Sequence, residues 1–145
     1  MLLSAWIACC SLHVAHAQSA PPFAGTLKAV VGDVQVLRAD QTQTAQSGMK
    51  LRVDDEVITG EASSAGIVLL DGTRLSLGPK SQTRMSEVSF DGTTQDGNLL
   101  IKLYRGSLRM ITGLIATHNP DAVKVVTPTS VVGIRGTDFI VQVAE

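Results

Sequence analysis

Over most of this chain apolar residues recur at every second position, and that period constrains the fold more than any other feature. Leu27, Ala29 and Val31, then Val34 and Val36, alternate with polar or charged residues. Successive side chains of a strand point to opposite faces, so the pattern marks half-buried strands. The same reading covers residues 56–59, 65–70, 73–77, 83–88, 99–104, 107–111, 123–127, 130–134 and 137–143. Asp71-Gly72, Asp91-Gly92 and Asp96-Gly97 punctuate the runs as tight turns, because Gly supplies a positive φ that Asp also tolerates. No stretch sustains the 3.6-residue period of a helix. The pattern predicts an all-β fold of about ten short strands in a rolled, solenoid-like or sandwich arrangement, with loops over 39–48 and 115–122 and a hairpin tip over 89–98.

The two ends differ from this body. Residues 1–17, MLLSAWIACCSLHVAHA, are apolar, carry no charged side chain and close on Ala15-His16-Ala17, a small-x-small cleavage pattern. They read as a secretory signal peptide, although the basic n-region of such peptides is missing. The segment is shorter than the ~20 apolar residues of a spanning helix. Residues 18–24, with Pro21-Pro22, read as a flexible tether, and residues 25–145 as one domain. Both cysteines, Cys9 and Cys10, fall in the leader, so a chain processed there has no disulfide, thiol nucleophile or cysteine-bound metal. A lipid anchor at Cys9 is the weaker alternative, since Trp6 fits poorly where such signals carry an aliphatic residue.

Composition excludes several functions. The 12 basic and 13 acidic residues are interspersed, without the basic stripe by which proteins displace counterions from nucleic acid. Past the leader the one histidine is His118, read as a solvated loop residue, and no serine stands in a Gly-x-Ser-x-Gly elbow. Asp54-Asp55-Glu56 is the single acidic cluster, read as a solvated turn, with a weak calcium site as the alternative. We therefore expect no catalytic, metal or cofactor site. An enzyme would need a cleft in which Asp54, Asp55 or Glu56 meets His118 or an arginine.

Three side chains remain as candidates for contact with a partner: Arg135, Tyr104 and Arg105. Gly72, Gly106, Gly136 and Thr137 are assigned to structural turns. In VVGIRGTDFIVQV, residues 131–143, Gly136 is expected to permit a turn or a close strand approach. Thr137 then bonds locally, Phe139 and Val141 enter the core, and the whole stretch forms a closing strand pair. Arg135 is left for a surface salt bridge or a partner.

In order and spacing, these pieces resemble one family. They are Gly25-x-Leu27, Gly32-Asp33-Val34-x-Val36, Gly48-x-x-Leu51, Asp54-Asp55 and Ile58-Thr59-Gly60, then Ser64 to Leu77 around Asp71-Gly72-Thr73. Leu103-Tyr104-Arg105-Gly106-Ser107-Leu108-Arg109, Val126-Thr127-Pro128 and Val132-Gly133-Ile134-Arg135-Gly136-Thr137-x-Phe139-x-Val141 complete the set. The chain resembles the periplasmic FecR domain, named for regulators of ferric citrate uptake. That resemblance implies an all-β envelope domain that binds a protein and carries no catalytic residues. In the best-known members it is joined to a cytoplasmic anti-sigma segment and a membrane helix, and it receives a signal from an outer-membrane TonB-dependent transporter. Here a cleavable-looking leader stands in place of the anti-sigma segment. With that departure the chain is expected to be a stand-alone periplasmic or secreted module; its short leader argues against spanning a membrane and its interspersed charges against nucleic acid, and a glycan- or peptidoglycan-binding domain is the alternative.

Overall fold

A computed structural model describes residues 19–144. The predicted leader and the first residue of the tether lie outside the described residues. Twelve strands form one curled sheet. They are β1 (Phe23–Val31), β2 (Val34–Arg38), β3 (Gln41–Thr44), β4 (Lys50–Arg52), β5 (Glu56–Thr59), β6 (Ser64–Leu69), β7 (Arg74–Leu77), β8 (Gln82–Phe90), β9 (Gly97–Ile111), β10 (Val123–Val126), β11 (Val131–Gly133) and β12 (Asp138–Val143). The fold is all-β, as the hydrophobic period predicts.

The long strand β9 organises the sheet. Sequence divides this region into two strands around Arg105-Gly106, but the chain runs through as one. Along one side, β7 and β8 pair with β9 in near-continuous antiparallel register, from Arg74↔Ile111 to Leu77↔Leu108 and from Gln82↔Arg105 to Phe90↔Gly97. Pairing then spreads in two arms, β8-β5-β2-β3 and β7-β6-β1-β4. Side chains of both arms and of β9 enter a single buried cluster, including Leu27, Leu51, Ile67 and Met85 with Ile101 and Leu108 of β9. Such inward residues alternate with outward ones; β6 reads half-buried, buried, half-buried throughout.

Between the arms the backbone turns a corner. Gly106 has φ +82°, and a Cβ there would collide with Ser81 Oγ and with the Ser81 Cα. Ser81 Oγ accepts from the Ser107 amide (2.9 Å), while Thr59 Oγ1 donates to Gly78 O (2.7 Å) and accepts from the Ser81 amide (2.9 Å). These bonds satisfy polar groups that the bend takes out of the ladder.

Several differences from the sequence reading have local causes. β1 begins at Phe23, two residues before the predicted start of the domain at residue 25, because Ala24 packs into the core. The predicted loop 39–48 contains β3; its QTQT is exposed and polar throughout, so no apolar period reveals it. The predicted loop 115–122 holds a short helix α1 (Leu114–His118) and a 3₁₀ turn (Pro120–Ala122). Buried Asp71 anchors that helix: its carboxylate accepts from the amides of Thr73 (3.0 Å) and Ile115 (3.3 Å), and its carbonyl from the amide of Leu114 (3.0 Å). At the tip over 89–98 the positive φ falls on Gln95 (+61°), not on Gly92 or Gly97. Asp91 closes that tip by accepting from the amides of Thr93 and Thr94, bonds that hold its carboxyl below the usual range.

Candidate functional site

The stretch from Val131 to Val143 occupies the second side of β9. β10 lies parallel to the first half of β9, Val123↔Leu99 to Val126↔Lys102, and β11 pairs antiparallel with β10. β12 runs antiparallel to the second half, Asp138↔Ile111 to Val143↔Gly106. β11 and β12 therefore do not form the predicted closing pair; each is drawn to a different neighbour, and the four residues between them open a gap. Clefts flank this segment on both sides. One, of about 510 Å³, lies between it and α1, lined by Thr112, Thr117, Asp121, Arg135 and Thr137. The other, of about 460 Å³, lies between β11 and β12, with Val132, Ile134, Phe139 and Val141 among its walls.

Arg135 lines both clefts. Its side chain is exposed, and among the described residues no carboxylate lies within ion-pair distance of it. The next residue, Gly136, has φ +141° with nothing within 4 Å of the place a Cβ would take, so its backbone torsion, not a close strand approach, calls for glycine. Thr137 holds the loop through its carbonyl, which accepts from the Thr112 amide at 3.0 Å. Phe139 and Val141 are half-buried and pack against the core cluster. Gly72 adopts φ +82° in the Asp71-Gly72-Thr73 turn, where Thr73 Oγ1 donates to Asp71 Oδ2 at 2.8 Å.

The other two candidates stand elsewhere. Tyr104 is half-buried and Arg105 exposed, both on β9 just before the corner. Because Val143 pairs with Gly106 while Asp138 pairs with Ile111, they lie at the opposite end of β12 from Arg135. At strand rise the separation is roughly 20 Å. The three do not make one site.

The acidic cluster is not the solvated turn read from sequence. Asp54 is exposed with φ +69°, but Asp55 and Glu56 are buried at 1% and 5% exposure. Asp55 takes two bonds from Arg38, Nε at 2.9 and Nη2 at 2.6 Å, and a third from the Arg52 amide. Glu56 accepts from Arg84 Nε and Nη2 (2.9 and 2.5 Å) and from Gln82 Nε2 (2.8 Å). Buried charges need such partners, and these come from 17 and 28 residues away, beyond any local signal. Hydrogen bonding to the carboxylate raises the pKa of each guanidinium further. Asp54, Glu56 and Arg84 line a cleft of about 350 Å³, the meeting of acid and arginine that an enzyme would need. Yet both oxygens of each buried carboxylate are already taken by structural hydrogen bonds to Arg38, Arg84, Gln82 and the Arg52 amide. His118 lies elsewhere, exposed, with Nε2 3.1 Å from Asp96 Oδ1. Among the described residues no group of three or more His, Cys, Asp or Glu is placed to hold a metal ion.

Arg109 and Asp138 form a third clamp, exposed and bidentate (2.9 and 2.6 Å), that ties the start of β12 to β9. No helix among the described residues is long and apolar enough to cross a membrane. No curated protein and no solved structure matches the chain. The model of the family described as FecR protein matches residues 55–145, from the buried Asp55 through β12. On that match the chain belongs to the FecR family, a family of signalling and regulatory modules.

Proposed function

We propose that this chain is a non-catalytic signalling module of the cell envelope, exported through residues 1–17, that recognises a protein partner through the loop between β11 and β12. One observation carries the reading. Arg135 is exposed and lacks an acidic partner among the described residues, at the mouth of the 510 Å³ cleft, whereas the buried carboxylates Asp55 and Glu56 are already committed to structural ties. An unpaired guanidinium is suited to bidentate recognition of a carboxylate on another chain. Family membership supports a regulatory role for such contact.

The test is capture from envelope extract on immobilised protein, with Arg135→Ala alongside. We expect a partner that the wild type retains and the variant loses at least in part. Recovery of nothing, across salt and detergent conditions, overturns the proposal. A second reading, glycan or peptidoglycan binding, is favoured by the hydroxyls of Thr112, Thr117 and Thr137 beside Asp121 in the same cleft. Cosedimentation with purified sacculi separates the two: depletion of the protein from the supernatant supports glycan binding.

A further inference from the structure

The edges of the sheet are not alike. β3 is QTQT, polar and exposed at every position, and β4 and β11 are three residues each. Polarity and brevity are the usual protections of a strand edge. β12, DFIVQV, has neither: it runs for six residues, among the described residues pairs only with β9, and presents Ile140 at 68% exposure in the middle of an apolar run. The cleft between β11 and β12 leaves its open side accessible.

We infer that β12 pairs with β12 of a second copy, antiparallel about a two-fold axis at Ile140. The inference is independent of what Arg135 recognises. The strand is self-complementary in this register. Ile140 meets Ile140 of the copy on the outer face, Phe139 meets Val141 on the core-facing side, and Asp138 meets Gln142, so no like charges are opposed. A parallel arrangement would set Asp138 against Asp138. Isologous antiparallel pairing closes on itself and leaves no further β12 edge open. Six residues a side bury less than the ~1,200 Å² of stable interfaces. The dimer is accordingly concentration-dependent.

Sedimentation velocity across a concentration series tests this, on protein purified from cells expressing the full chain. The expected result is a rise from monomer toward dimer mass. Ile140→Lys weakens the association by roughly tenfold or more with an unchanged thermal midpoint, because it puts two ammonium groups face to face. Val131→Lys, at an equally exposed position on β11, associates as the wild type does. With Cys9 and Cys10 replaced by Ser, Ile140→Cys links the two copies through a short bis-maleimide. Gln142→Cys does not, since its Cα atoms lie roughly 14 Å apart in this register. A wild type that stays monomeric, an Ile140→Lys variant that still dimerises, or equal linking at 140 and 142 overturns the proposal. So does a monomer whose β12 accepts a strand from a different protein.

Discussion

Glycines with a positive φ are not equivalent at the residue scale, and their surroundings separate them. Gly106 combines φ +82° with Ser81 packed against the space a Cβ would take, whereas Gly136 has φ +141° in open surroundings. Torsional strain alone costs about 1–2 kcal/mol for an L-residue. A clash with a buried backbone atom adds to it, so Gly106→Ala should destabilise by about 3 kcal/mol or more and Gly136→Ala by about 1–2. Urea denaturation of both variants checks the order; equal losses would mean that the Ser81 corner yields freely. The sequence assigns Gly72, Gly106 and Gly136 to turns by residue type alone. Which of them is crowded was not legible there, since Ser81 is 25 positions from Gly106 along the sequence.

For single elements, the informative case is how β12 is held. Its apolar face contributes only half-buried side chains, and the Arg109–Asp138 clamp fastens its first residue. Arg109 hydrogen bonds, reinforced by the charges of Arg109 and Arg74, hold the Asp138 carboxyl below its usual range. A carboxyl whose folded pKa is depressed favours folding fully above the unfolded value of about 3.9, and that contribution disappears as pH falls through the folded value. NMR titration should therefore find the Asp138 midpoint below the ordinary carboxylate value in the wild type and closer to it in Arg109→Gln. The start of β12 should loosen with that protonation in the wild type. An unchanged Asp138 titration in Arg109→Gln would show that the clamp does not form in solution. The period of β12 was readable in the sequence, but its pairing was not. Alternation specifies a strand and its faces, and leaves open which neighbour takes its hydrogen bonds.

For the whole molecule, the family match begins at Asp55, yet β1 to β4 lie before it and are integral to the core. Leu27, Val34, Val36 and Leu51 are fully or almost fully buried, and Arg38 supplies the partner of buried Asp55. Removing residues 1–54 would uncover β6 along the edge that β1 covers and leave Asp55 without its guanidinium. We predict that a fragment of residues 55–145 lacks a cooperative thermal transition, while residues 19–145 show one; calorimetry of the two distinguishes them. A cooperative transition in the shorter fragment would place the folding unit within the family match.

Fold class was legible because side-chain alternation is a local property: strands such as β6 and β7 show their buried face within four to six residues, whereas the polar β3 does not. The Asp-Gly-Thr turn at 71–73 and the strand at 56–59 were readable for the same reason. Tertiary structure decided what depends on distant partners. It joined two predicted strands into β9, buried Asp55 and Glu56 against Arg38 and Arg84, separated Arg135 from Tyr104 and Arg105, and sent β11 and β12 to different neighbours. Burial and pairing are set by which segments meet across the curled sheet, and residues that meet there are tens of positions apart in the chain.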